Sequence, residues 1–451
     1  MTKKLANAYP RKHFFLEMFT RDISLEDCVL DLIDNSIDGL VRTHEIDISS
    51  SLLDEANAKN FPPSAKLPRI EVSYTKSHFE IKDTCGGIPR DHALKDVFNF
   101  GHSPDAMGGV LGVYGVGLKR AIFKIGDNFE MKSRTTKDGF DVNLNVREWS
   151  EKDSTLDDWR IPIAFTSPAS SPKQAGTSIR VTKLRKEVTM RMDDGTFQER
   201  LKSVISQTYG LFIRRYVIIT LNGLEIEPFQ IPLAASNEVQ PAYDVFEEHG
   251  VKVELFSSLA ERKNQQWKAE PAGWYVLCNG RIVVTADKSE LTGWGTAGFP
   301  QFHDGKFRGF VGVAFFKATY PSLLPWTTTK RGLNRESPIY QSARNRMRGI
   351  GRPIITFLDS MYKRDIPEEK VEREIADNVK PISLASIAAK PTAGFTLTPT
   401  KRAPKTTVRI QYDAEKTDIE RVKKHIKKFS WGANRVGQHT FEFYLENECP
   451  E

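Results

Sequence analysis

Four cysteines in 451 residues, Cys28, Cys85, Cys278 and Cys449, stand far apart and form no Cys-x-x-Cys pair. Such scatter excludes a zinc ribbon or a disulfide-stapled scaffold and suits a reducing compartment. No stretch comes near the roughly 18 consecutive apolar residues of a membrane span. Met1-Thr2-Lys3-Lys4 is not followed by the apolar segment of a signal peptide, so a cytoplasmic location without membrane contact is expected. Nuclease, toprim and protease signatures are missing too. What remains is an ordinary globular composition, 39% apolar and 27% charged, in a chain long enough for two or three domains. A formal charge of +7 permits contact with nucleic acid without establishing it.

The most informative stretch is Asp31-Leu32-Ile33-Asp34-Asn35-Ser36-Ile37-Asp38-Gly39. At about 100° per residue, Asp27, Asp31, Asp34, Asn35 and Asp38 share an arc of roughly 100° on one helix. Val29, Leu32, Ile33, Ile37 and Leu40 take the opposite side, which would bury against a sheet. Alone, an acidic stripe reads as a solvated helix face. Two glycine-rich segments downstream change that reading. Ile81-Lys82-Asp83-Thr84-Cys85-Gly86-Gly87-Ile88 is a strand running into a turn, and Gly112-Val113-Tyr114-Gly115-Val116-Gly117-Leu118-Lys119 opens a helix. Backbone N–H groups of such a loop, together with the helix N-terminus, cradle phosphates. Residues 98–109, just before it, fit a lid. Later, Gln174-Ala175-Gly176-Thr177 places a Gly-Thr pair ahead of a β-rich run.

In this order, the segments resemble the nucleotide-binding motifs of the GHKL ATPase superfamily, which includes gyrase B, the heat-shock chaperone ATPases, MutL, MORC proteins and sensor histidine kinases. The resemblance covers about residues 20–185 well and implies an α+β chain. Residues 1–190 would be a GHKL (Bergerat) α/β sandwich that binds ATP and Mg²⁺. By the same resemblance Asn35 holds the Mg²⁺, and Asp31 occupies the place of the general base, normally Glu, with Asp27 and Asp34 as further candidates. Aspartate is one methylene shorter, which puts fast turnover in doubt more than nucleotide binding. Asp83 would accept a hydrogen bond from the adenine amino group. Gly87 and Ile88 would lie beside the base, and Thr177 would complete that pocket. Cys85 replaces a usual Gly and reads as a small packing residue. Asp38, Ser103, Gly112, Gly115, Val116, Gly117, Leu118 and Lys119 complete the implied ATP-binding set, and Gly117-Leu118-Lys119 is similar to the MORC pattern.

A second domain over residues 195–365 is expected from three apolar runs: Val217-Ile218-Ile219-Thr220-Leu221, the hairpin Trp274-Tyr275-Val276-Leu277-Cys278-Asn279-Gly280-Arg281, and Phe310-Val311-Gly312-Val313-Ala314-Phe315-Phe316. It resembles the transducer (S5-like) domain of gyrase B, MutL and MORC proteins. The resemblance implies that Lys330, or secondarily Arg331, reaches the γ-phosphate and stabilises transition-state charge. A helix bearing Arg344, Arg346 and Arg348 should follow. Residues 366–406, rich in Pro, Ala, Thr and Lys, read as a linker. Residues 407–451 read as a small β-α-β unit, with Phe441-Glu442-Phe443-Tyr444-Leu445 as its last strand. The first 20 residues form an apolar arm, with Tyr9-Pro10 and Phe14-Phe15, that either crosses to a second protomer or packs on its own domain. Residues 44–68 read as an insertion.

Three functions are compatible with these motifs. One is an ATPase whose ATP state closes or dimerises around DNA or a DNA-bound effector, as in DNA maintenance or anti-phage defence. Another is an ATP-sensing adaptor that hydrolyses weakly and switches a partner. A histidine-kinase-like phosphotransferase fits least, because no long helix with a phosphoacceptor His lies upstream.

Overall fold

A computed structural model describes residues 11–46, 67–101, 111–112, 115–152, 155–262, 266–363, 375–376, 378–392, 394–397 and 410–449. Two compact units emerge, Met1–Pro399 and Thr400–Glu451.

In chain order the first half of the larger unit contains α1 (Lys12–Arg21), α2 (Leu25–Thr43), β1 (Arg69–Tyr74), β2 (His78–Asp83), α3 (Gly117–Ile125), β3 (Gly126–Arg134), β4 (Gly139–Asn145), β5 (Ala164–Thr166), β6 (Gly176–Leu184), α4 (Phe197–Thr208), β7 (Ile218–Leu221) and β8 (Leu224–Glu225). The strands form one sheet in the order β5-β4-β3-β6-β2-β1-β7-β8. All pairings in it are antiparallel except β1 with β7. Alternation sets its buried face: Ile70 and Val72, Phe79 and Ile81, Phe129 and Met131, Ile179 and Val181 share one core with the apolar side of α2. Ser24 caps α2 by accepting from the Asp27 amide at 3.0 Å, and Glu26 and Asp27 complement the helix dipole.

The acidic side of α2 is not a solvated face. Asp31, Asp34 and Asp38 are buried, and Asn35 is the only exposed residue between positions 28 and 41. A helix buried on both faces needs partners for its charges, and these come from distant parts of the chain.

The second half adds β9 (Leu233–Ala235), β10 (Val239–Gln240), β11 (Ala242–Glu248), β12 (Val251–Ala260), β13 (Gly273–Cys278), β14 (Arg281–Asp287), β15 (Phe310–Lys317), α5 (Pro338–Lys363), β16 (Lys380–Pro381) and β17 (Thr396–Leu397). A second sheet runs β14-β13-β15-β12-β9-β16, with β11 also on β12. Every residue of β13 and β15 is buried, so these strands are covered on both faces and read as unbroken apolar runs. Helix α5 lies on β12 and β15, while α4 touches both α2 and β14.

Three boundaries differ from expectation. The run at 217–223 supplies β7, which pairs in parallel with β1 and completes the first sheet, so that domain extends past 190. Residues 380–397 are not linker: β16 pairs with β9, β17 pairs with β10, and Ser383 caps a helix at Leu384–Ala389. The C-terminal unit is not β-α-β. Its described residues form helices at Lys416–His425 and Ala433–Glu448, and the run at 441–445 lies inside the second. A five-residue apolar run does not distinguish strand from helix by periodicity.

The first described residues pack on their own domain. Phe15 stacks on Phe19 and meets Phe100 and Trp159 edge-on, while the buried Lys12 ammonium donates to the Trp149 carbonyl at 2.8 Å. Tyr9-Pro10, most of the 44–68 insertion and residues 102–109 of the lid lie outside the described residues. Among the described residues no helix is long and apolar enough to cross a membrane.

Candidate functional site

A cavity of about 550 Å³ opens between α2, the start of α3, the buried face of the first sheet and the loop carrying Thr328 and Lys330. Its floor is apolar (Leu32, Ile81, Met131, Ile179) and its rim is polar, the character of a small-molecule site.

At one end Asp83 terminates β2. Its Oδ1 accepts from the amides of Cys85 at 2.9 Å and Thr177 at 3.2 Å, and its Oδ2 accepts from the Ser36 hydroxyl at 2.9 Å. Burial pushes the carboxyl up to about 6, against the lowering effect of those hydrogen bonds. Thr177 reaches the Ser133 hydroxyl at 2.9 Å, and Ser133 in turn accepts from the Ile88 amide at 2.8 Å. Gly87 sits at φ +71°, where a Cβ would lie 2.2 Å from the Arg134 carbonyl oxygen, so only glycine lets the turn close on the sheet. Cys85 is buried and its thiol is pushed up by burial and by Asp83; it packs rather than reacts.

At the other end Asp38 ties the glycine loop to α2. Its two oxygens accept from the amides of Leu111 at 2.7 Å and Gly112 at 2.8 Å, and burial raises it to about 6. A Cβ on Gly112 would stand 2.7 Å from Asp38 Oδ2, so the loop's approach depends on that glycine. Gly115, Val116, Gly117 and Leu118 continue the wall into α3. Lys119 also lines the cavity. Its ammonium donates to the Val97 carbonyl at 2.8 Å beside the Phe100 ring, and burial draws it down to about 7.

Three more carboxylates of α2 lie N-terminal to Ser36 and Asp38 on the helix. Asp31 lines the cavity and accepts from Arg120 at 2.7 Å, with the Lys330 ammonium 3.9 Å away. Asp34 lies behind it, off the cavity, with Tyr209, Arg281 and Lys330 all within 2.7 Å. Asp27 forms a close ion pair with Arg331. Of the three acids considered as the base, Asp31 alone meets the cavity. Asn35, the one exposed residue between positions 28 and 41, lines it too.

The favoured site residues therefore line one cavity, except Ser103, which lies outside the described residues; the alternatives Asp27, Asp34 and Arg331 do not line it. Arg120, Ser36, Ser133, Tyr209 and Arg281 were not foreseen. Ser36 was visible as a neighbour of the motif; the rest carry no local signal.

An acceptor role for Asp83 gives a pH prediction. As pH falls through about 6 its carboxylate protonates, and adenine-nucleotide affinity should fall with it. The same group acts oppositely on the unliganded fold. A carboxyl raised from the ordinary 3.8 binds more protons folded than unfolded in this window, so its contribution to stability increases as pH drops. Nucleotide titration above and below pH 6 checks this, and Asp83→Asn should bind weakly and lose the Asp83 share of the pH dependence, while Asp38 and Lys119 still titrate in the same range. A melting curve at each pH separates weaker binding from unfolding.

Residues 23–177 match the family described as histidine kinase-, DNA gyrase B- and HSP90-like ATPases. No curated protein matches the chain.

Proposed function

From a chain whose residues 23–177 match the family of histidine kinase-, DNA gyrase B- and HSP90-like ATPases, we propose a slow, Mg²⁺-dependent ATPase whose ATP state drives closure or dimerisation on DNA or a DNA-bound effector. One observation carries the reading: the one exposed residue between positions 28 and 41 of a buried helix is an asparagine, and it lines a cavity walled by Asp83 and the glycine loop.

The donor set suits the ligand. Asp83 supplies an anionic acceptor at an apolar slot, and the N-terminus of α3, at Gly117, Leu118 and Lys119, supplies backbone donors where phosphate charge would sit. Among the described residues no group of three His, Cys, Asp or Glu side chains is placed to hold a metal ion. A hard cation that keeps several waters needs only one amide oxygen when phosphate oxygens complete its shell, and Asn35 offers that oxygen. Bound there, Mg²⁺ would neutralise developing phosphate charge. Asp31 orients and deprotonates the attacking water, and Lys330 stabilises charge on the γ-phosphate.

Slow turnover is favoured by the Arg120 pair, because Asp31 must give up a guanidinium hydrogen bond to face water. The ATP-sensing adaptor uses the same site and differs only in rate. Association between protomers is favoured by Phe14 and Met18, exposed one turn apart on α1, and a polyanionic client by the +7 charge. Light scattering tests the reading: with a non-hydrolysable ATP analogue the particle should be more compact or dimeric than with ADP. Identical particles would replace the clamp with a constitutive scaffold.

A further inference from the structure

Five charged side chains meet at the cavity wall and behind it: Asp31, Arg120 and Lys330 line the cavity, and Asp34 and Arg281 lie off it. Each carboxylate holds its own arginine, Asp31 with Arg120 at 2.7 Å and Asp34 with Arg281 at 2.6 Å. Lys330 is the surplus cation. It stands 2.7 Å from Asp34 and 3.9 Å from Asp31, and all five are buried or nearly so.

The two cations on Asp34 differ in how they are mounted. Arg281 follows the Asn279-Gly280 turn, whose positive φ values fit a tight two-residue hairpin. That turn is locked to the end of β15, since Asn279 accepts from the Ala318 amide at 2.9 Å and donates to its carbonyl at 3.0 Å. The Arg281 side chain is 1% exposed and does not line the cavity. Lys330 sits in a short loop at φ +54°, closed by Thr327 and Gly332, and does line it. One cation is thus fixed in the second sheet, and the other hangs at the cavity wall.

Resting on the ATP reading above, we propose that Arg281 is a positioning residue for nucleotide sensing: it is the permanent counter-ion of Asp34, and it thereby frees Lys330 to exchange between Asp34 and the γ-phosphate. Stripping the only partner from a buried carboxylate is strongly unfavourable. With Arg281 in place, Lys330 leaves Asp34 without stranding it. Without Arg281, Asp34 keeps the lysine, and a triphosphate loses its advantage over a diphosphate. Asp34 then sets how strongly the site prefers ATP, although it does not touch the cavity.

Titration of the full chain with ADP and a non-hydrolysable ATP analogue tests this. In Arg281→Met the ratio of the two affinities should fall about 10-fold, inside the 5–150-fold span of typical couplings, while ADP affinity stays at the parent's value. In Asp34→Asn/Arg281→Met, which removes both buried charges, the preference should return to the parent's level or exceed it. A merely structural arginine would weaken both nucleotides together and would not be rescued. A folded Arg281→Met with an unchanged ratio, or a double variant that stays indifferent, overturns the proposal alone. If Arg281→Met does not fold, the double variant decides. A parent that binds neither nucleotide overturns the ATP reading, and this inference falls with it.

Discussion

Asp31→Asn is expected to hold ATP while losing hydrolysis by about 10²–10⁴-fold, the usual worth of a positioned general base. The amide keeps the shape and an acceptor for Arg120, so the 2.7 Å contact survives as a neutral–charged hydrogen bond. What disappears is the capacity to take a proton from water. Steady-state turnover beside a binding titration separates the two effects. Asp31→Glu should raise turnover if the short carboxylate limits it. Unchanged hydrolysis in Asp31→Asn would end its assignment as the base; Asp34 and Asp27 are poor replacements, being held by ion pairs away from the cavity.

Lys330→Met should abolish the difference between ATP and ADP states at little cost in stability. The loop cation faces the cavity, and only a nucleotide with a γ-phosphate can draw it away from Asp34. Differential interaction of that kind is what allows a ligand to shift a conformational equilibrium. The expected loss is about 5–150-fold in discrimination between the nucleotides. Arg281 and Tyr209 remain on Asp34 in the variant, so the buried carboxylate stays paired and the fold should persist. Scattering with both nucleotides, alongside a melting curve, measures this. A variant that still closes only with ATP would move the sensor to Arg331 or Lys119.

The residues of the cavity were legible because they lie in local motifs. Asn35, Asp83 and the glycines of 112–117 lie in short motifs whose spacing survives folding, and they meet at one cavity. The charge network was not legible. Asp31 and Asp34 look like surface residues of an amphipathic helix, yet their partners come from positions 120, 209, 281 and 330, contacts that only the tertiary fold creates. Sheet membership failed for the same reason. Ile218 and its neighbours form a plausible strand of the following domain, and only pairing with Arg69 and Ile70 places them in the first sheet. The run at 441–445 misled because aromatic content favours strands on average, while a segment that short carries no reliable period.

The central claim is that Asn35, exposed on a buried helix, gives the cavity its Mg²⁺-dependent hold on ATP. Calorimetric titration of the full chain with ATP, with and without Mg²⁺, tests it directly when repeated on Asn35→Ala. The account predicts metal-dependent binding by the parent and loss of the metal-dependent part in the variant, with an unchanged melting curve. Binding by Asn35→Ala that matches the parent in the presence of Mg²⁺ would contradict it.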